Sequence, residues 1–305
     1  MSTVTNLHGI SAAVVAAMAG FERAYSKGGA DYSATDLIKP AWMSYLQRKH
    51  HQDIVRDVSD SVPSFIGNAV HGALAGVEHS DGALIEQRFS AVIAGVTVSG
   101  AVDYALPPVV RDYKVCKAYK VKKIMAGEPG AIDEWEQQLN EYAMLIRMET
   151  GAECYDLAIE AIISDWSKAE AARDPGYPQC AWQLIRVECW PDDDQVAWVE
   201  RQIAEREALG NADGDSGSWA DGGPAECPPE QRWEKPATFA VMKGKNKRAT
   251  KLCDTLIEAE SYIAAHKDGA QMRVEERPAD PVRCRDWCNV NFACPFWQAH
   301  EGSKA

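Results

Sequence analysis

No apolar run in this chain approaches the roughly 18 to 20 residues that a bilayer-crossing helix needs. The sequence therefore predicts no membrane partner. Basic residues are in deficit too: 32 Lys and Arg against 45 Asp and Glu give a formal net charge of -13. That balance argues against a surface coated in positive charge for nucleic acid, though a local basic groove is compatible with it. Carboxylates gathered at a metal site would themselves add to the negative total. The nine cysteines are odd in number and thin over most of the 305 residues, with none before Cys116. This argues against a disulfide framework and predicts reduced thiols in a cytoplasmic setting. No Lys or Arg precedes ISAAVVAAMAG, so that stretch lacks the basic flank of a secretory signal and reads as a small-residue helix. No internal repeat is present.

What is present divides by composition. Residues 1–208 carry dense apolar patterning and read as a core domain; 209–235 form a Gly/Asp/Pro-rich linker or loop. Residues 236–280 read as a small α/β module with a basic hairpin, and 281–305 as a Cys-rich C-terminal segment. Within the core, TDLIKPAWMSYLQRKHH offers Thr35 or Asp36 as an N-cap ahead of a helix. SFIGNAVHGALAGV reads as another helix. From Leu84 to Val115 the pattern changes to period two and to β-branched residues, predicting antiparallel strands with turns near Ala94-Gly95 and Pro107-Pro108. Residues 131–148 return to helical spacing, with Ile132, Trp135, Leu139, Tyr142 and Ile146 on one stripe. CYDLAIEAIIS and CAWQLIRVECW read as two more strands, and DDQVAWVERQIAER as a closing helix. The fold class is α/β (α+β): a mixed central sheet flanked by helices. In the small module, two strands around a Gly-Lys turn precede a helix, LIEAESYIAAHK, and a strand, QMRVEER.

The stretch GAVDYALPPVVRDYK concentrates the chemistry. If the strands pair across a turn centred on the two prolines, residues whose numbers sum to 215 face each other, as Asp103 and Asp112 do. Opposed residues lie about 4.5 to 5.5 Å apart between Cα atoms with side chains on one face. Lys114 shares that face about 6 to 7 Å further along. Two facing carboxylates repel unless a cation separates them. A hard divalent ion accepts such oxygen ligands and keeps waters, one of which could attack a phosphodiester. The same spacing also fits two aspartates at strand ends beside a solvated lysine.

Further residues carry a resemblance. Gly100-x-x-Asp103 followed by Asp112-Tyr113-Lys114 resembles the signature of the PD-(D/E)XK nuclease superfamily, in its RecB/Cas4-like branch with related phage exonucleases. Gly67-x-x-x-His71, Gln138-x-x-x-Tyr142 and the early SATDLIKP segment match further motifs of that branch in order. The resemblance covers roughly residues 32 to 200. It implies a restriction-endonuclease-like sheet and a Mg2+- or Mn2+-dependent deoxyribonuclease. It implies that His71, Asp103, Asp112 and the Tyr113 carbonyl bind the metal, and that Lys114 activates the water. Gln138 and Tyr142 would position Lys114 and the DNA backbone. Glu86 is a further acid near the site, with a position that reads as a solvated strand side chain.

The implied activity is that of an exonuclease in recombination or repair, phage or prokaryotic, with DNA as partner and a recombinase, annealing protein or helicase beside it. The alternatives are a restriction-like endonuclease on the same core or a catalytically inactive DNA-binding module. Lys117, Lys120, Lys122 and Lys123 in one run, and Lys243, Lys245, Lys247, Arg248 and Lys251 in another, suit phosphate contacts or solvated faces. Tyr119 and Trp219 offer rings for base stacking. The closely spaced Cys284, Cys288 and Cys294 leave three alternatives: a 4Fe–4S cluster as often found in that branch, a zinc with His300 as fourth ligand, or no metal. The branch's upstream cysteine is absent, so a cubane would need Cys116, Cys227 or Cys253.

Overall fold

The computed structural model describes residues 3–24, 26–211 and 226–302, and the chain divides into two units, Met1–Pro224 and Ala225–Ala305. The first unit opens with β1 (Thr3–Thr5) and α1 (Ala12–Ala24), the expected small-residue helix. β2 (Tyr32–Ser33) leads into α2 (Ala34–Ile38) and α3 (Ala41–Lys49); β3 (Val55–Asp57) pairs in parallel with β1 ahead of α4 (Val62–Ala75). The cap of α2 is Ser33, neither Thr35 nor Asp36. Its hydroxyl accepts the Asp36 N–H, and the Asp36 carboxylate accepts the Ser33 N–H. Asp36 therefore serves from inside the first turn, where a negative charge also suits the helix dipole. Pro40 splits the expected single helix in two, because the residue before a proline is driven from the helical region: Lys39 is extended, with ψ 148.

β4 (Leu84–Ile93), β5 (Val96–Leu106) and β6 (Val109–Cys116) are the antiparallel strands the alternation predicts. Ala94 and Gly95, both at positive φ, make the first turn, the twist a two-residue hairpin favours. α5 (Ala118–Met125) and α6 (Asp133–Thr150) cross over to β7 (Asp156–Ile163), parallel to β6; α7 (Lys168–Arg173), β8 (Trp182–Val187) and α8 (Asp192–Asn211) follow. The sheet order is β2-β5-β6-β7-β8, with β4 also on β5. β4 covers one edge of β5 along its length. The other edge is shared, by β2 at Val98 and Ser99 and by β6 from Tyr104 to Leu106. Residues 100–103 lie in the gap between those two partners.

Helix α6 seals this gap from one face. Leu139, Tyr142 and Ile146 of its predicted stripe are buried with Phe89, Val102, Leu157 and Ile159, and α8 adds Val199 and Ile203. The approach is close enough to require glycine at position 100. A Cβ there would sit 2.7 Å from Tyr142 Cε1 and 3.1 Å from Leu145 Cδ1.

In the second unit, β9 (Glu234–Lys235) pairs with β13 (Asp280–Pro281), while β10 (Thr238–Lys243), β11 (Lys251–Cys253) and β12 (Met272–Arg277) form a sheet in the order β11-β10-β12. α9 (Leu256–Ala265) buries Ala259 against Val241 and Cys253. α10 (Val282–Asp286) and α11 (Pro295–Gly302) carry the cysteine segment. Of the 209–235 segment, residues 212–225 lie outside the described residues, and Trp219 with them. Among the described residues, no helix is long and apolar enough to cross a membrane.

Candidate metal centre

The β5–β6 hairpin keeps the expected register at its tip, with Tyr104 opposite Arg111, Ala105 opposite Val110 and Leu106 opposite Val109. Beyond Tyr104 the ladder stops. The Asp103 carboxylate takes over, accepting the Tyr113 N–H through Oδ2 at 2.8 Å. This satisfies a main-chain donor that the parting strands would otherwise leave unpaired, and it fixes Asp103, which is only 6% exposed.

The other carboxylate oxygen faces His71. From α4, His71 Nδ1 lies 3.3 Å from Asp103 Oδ1 and 3.6 Å from Glu86 Oε1; Nε2 donates to the Tyr113 carbonyl at 2.9 Å. Both ring nitrogens thus face acceptors. Hydrogen bonding to Asp103 and then to Glu86, opposed by burial, pushes the imidazole up to about 10. With Nε2–H on the Tyr113 carbonyl, Nδ1 is the ring nitrogen that faces the two carboxylates, and it becomes a ligand atom once its proton is displaced.

Glu86 is the residue that sequence reasoning set aside as a solvated strand side chain. In β4 its neighbours Ile85 and Gln87 pair with Tyr104 and Val102, so Glu86 falls opposite Asp103, where the ladder skips a pair. Its φ is 49, a left-handed conformation that glutamate rarely adopts. Such strain is concentrated at functional positions. Glu86, His71 and Asp103 bring three ligand atoms within 4.8 Å of one another. One imidazole and two carboxylates are a donor set suited to a divalent cation. The Tyr113 carbonyl adjoins them through His71. The signal that could have found Glu86 is the register, which places it across from Asp103.

Asp112 lies outside that group. It is 1% exposed, and its Oδ2 meets Lys114 Nζ at 2.7 Å. Burial, partly offset by Lys114, pushes its carboxyl up to about 6. Lys114 also donates to Gln138 Oε1 at 2.8 Å, and Gln138 Nε2 donates to the buried Tyr142 hydroxyl at 2.7 Å. The two aspartates expected to share a cation have different neighbours. Asp103 faces His71 and Glu86, while Asp112 faces Lys114, which a chain of side chains from α6 holds in place.

Several lysines of the first basic run are engaged within the protein. Lys122 pairs with Asp174 at 2.6 Å and Lys123 with Glu128 at 2.8 Å. Lys120 lies 5.1 Å over the Trp135 ring, and burial lowers its pKa. Lys117 is the N-cap residue of α5, and Tyr119 is 63% exposed. In the second unit Lys243 pairs with Asp268 and Lys251 with Glu258, whereas Lys245, Lys247 and Arg248 stand exposed between β10 and β11.

The cysteines are gathered less tightly than the metal-ligand group. No disulfide joins the nine thiols. Among the described residues, the His71, Glu86 and Asp103 group alone gathers its ligand atoms this closely, so Cys284, Cys288 and Cys294 do not meet that spacing. Burial, then the neighbouring Cys288 and Cys294, pushes the Cys284 thiol up to about 12. His300, considered as a zinc ligand, stacks on Phe296 and Trp297.

No protein-family model matches the chain, and no curated protein matches it. A solved structure titled "Crystal structure of SSO0001" is similar at 16% identity and a TM-score of 0.43, covering 64% of this chain and 85% of that one. A likeness at that level carries no argument about function. What the molecule itself presents is a mixed α/β fold with a three-residue site able to hold a divalent metal.

Proposed function

We propose that this chain is a Mg2+- or Mn2+-dependent deoxyribonuclease of the PD-(D/E)XK type, an exonuclease serving recombination or repair. The observation that carries this is the adjacency of two constellations where β5 and β6 part, with α4, β4 and α6 contributing side chains. His71, Glu86 and Asp103 form a metal-ligand group, and Asp112, Lys114, Gln138 and Tyr142 form a braced lysine beside it. A bound divalent ion supplies a water of lowered pKa and charge stabilisation at the phosphate.

The protein's own residues do the rest. Asp103 and Glu86 provide oxygen ligands and His71 a nitrogen ligand, with Asp103 locked by the Tyr113 N–H. Asp112 and Gln138 hold the Lys114 ammonium, and its third N–H would be left to serve an attacking water or developing negative charge. Tyr142 fixes the Gln138 amide, which aims its oxygen at Lys114. Exposed Lys245, Lys247 and Arg248 suit the phosphate backbone in a protein whose other charges are mostly negative.

Digestion of end-labelled linear DNA with Mn2+, beside a closed circle of the same sequence, tests the proposal. The expected result is progressive loss of nucleotides from the linear ends with the circle intact. Cleavage of the circle would replace the exonuclease by an endonuclease on the same centre. No cleavage of either would reject the nuclease.

A further inference from the structure

The first unit also holds a cavity of about 480 Å3 that gathers positive charge and includes none of the metal-centre residues. Three parts of the chain build it. Ser44, Gln47 and Arg48 share one face of α3 and line the cavity, with His51 just beyond the helix end; Trp42 and Leu46 on the opposite face are buried. Lys27 and Lys39 enter from either side of α2, and Arg206 from α8. Arg206 is fixed in place, its guanidinium donating to the main-chain carbonyls of Asp36, Leu37 and Lys39 at 2.6 to 2.9 Å.

The charges in this cavity are one-sided. Lys27, Lys39, Arg48 and Arg206 meet only Asp31 and Asp36, a formal +2 in a chain whose total is -13. Both carboxylates are already engaged by the main chain: Asp31 Oδ2 accepts the Thr97 N–H at 2.8 Å, and Asp36 Oδ2 the Ser33 N–H at 3.1 Å. The Lys27 and Lys39 ammonium groups lie 3.8 and 3.5 Å from Asp36, too far for strong hydrogen bonds. Lys27 also donates to the Asp31 carbonyl at 3.0 Å. An ammonium has three donors, so each lysine keeps some for a ligand, and exposed Arg48 adds a planar fork suited to phosphate oxygens. Cations of one sign in a concavity focus the field on an anion. The polar lining, with Ser44 and Gln47 as neutral partners, does not suit an apolar ligand. The cations converge on one volume, of a size usual for small ligands, instead of following a track as a strand backbone requires.

We propose that this cavity binds a small, multiply charged phosphate ligand of the pyrophosphate class, with Lys27, Lys39 and Arg48 on its oxygens. The site stands on charge and shape alone and does not depend on the nuclease assignment. The test is calorimetric titration of the full-length protein with inorganic pyrophosphate in metal-free buffer. One saturable site is expected, with Kd below about 1 mM. Arg48→Ala should weaken binding about tenfold, as loss of a charge-assisted hydrogen bond to phosphate does. Lys168→Ala, which removes an exposed lysine of α7 outside the cavity, should bind as the parent does. Thermal melting of both variants verifies the fold, which an exposed side chain should barely affect. Absence of saturation, or parental affinity in Arg48→Ala, would overturn the site. An equal loss in Lys168→Ala would overturn it too, by showing diffuse attraction. Displacement of pyrophosphate by an oligothymidylate at equal phosphate concentration would reject the small ligand and give the cavity to nucleic acid.

Discussion

Single residues set the character of the centre, and Glu86 is the most informative. It has a left-handed backbone and a carboxylate beside His71 and Asp103. Glu86→Gln keeps the shape and removes the charge. Mn2+ affinity, measured by calorimetric titration, should fall by about tenfold or more, since loss of even a supporting partner of a metal ligand costs about that much. A second residue sets a pH dependence unrelated to metal. Glu141 on α6 is buried, and neither carboxylate oxygen has a hydrogen-bond partner among the described residues. Burial, partly offset by Arg206, pushes it up from 4.5 to about 8. Between those values the unfolded chain releases this proton and the folded protein keeps it. The group therefore withdraws stability as pH rises from about 4.5 to 8, on the order of 4 kcal/mol in all. Glu141→Gln should raise Tm relative to the parent far more at pH 8 than at pH 5. An equal shift at both values would mean that Glu141 ionises freely in the folded state.

Secondary-structure elements place these groups, and the contact between β5 and α6 matters most. Gly100 lets the Tyr142 ring lie against the strand, and Tyr142 steadies Gln138, which steadies Lys114. Gly100→Ala forces that ring away and should cost about 1–3 kcal/mol in denaturant unfolding, as overpacking does. It should also lower DNA cleavage with little change in Mn2+ affinity, because His71, Glu86 and Asp103 do not depend on Tyr142. At this scale much was legible in the sequence. The period-two run and the turns at Ala94-Gly95 and Pro107-Pro108 led to the hairpin and its register. The helix stripe led to the buried Leu139, Tyr142 and Ile146. The Ser33 cap was missed because Ser33, Thr35 and Asp36 all have capping side chains within four residues. Glu86 is legible as a further acid near the site but reads as a solvated strand side chain, because only the β4–β5 register, which the sequence does not spell out, sets it opposite Asp103. The partners of Lys122 and Lys123 were not legible either: the Asp174 pairing with Lys122 spans 52 residues and is made only by the fold.

For the whole molecule, a net charge of -13 means that the proposed DNA substrate would have to be held by local positive charge. Lys122, Lys123, Lys243 and Lys251 are paired within the protein, whereas Lys117 in the first unit and Lys245, Lys247 and Arg248 in the second stand exposed. Replacing Lys245, Lys247 and Arg248 by Ala should weaken DNA binding and reduce the slope of log affinity against log salt by up to about 2 to 3. An unchanged slope would place the phosphate contacts elsewhere. The central claim is that the forked β5–β6 pair carries a metal-dependent nuclease, and one comparison tests it most directly. End-labelled linear DNA is incubated with saturating Mn2+ and either the parent protein or Lys114→Ala, with EDTA as control. The account predicts cleavage by the parent, none in EDTA, and a loss of at least about 100-fold in Lys114→Ala at unchanged Mn2+ affinity. Equal cleavage by the two proteins, or none by the parent, would contradict it.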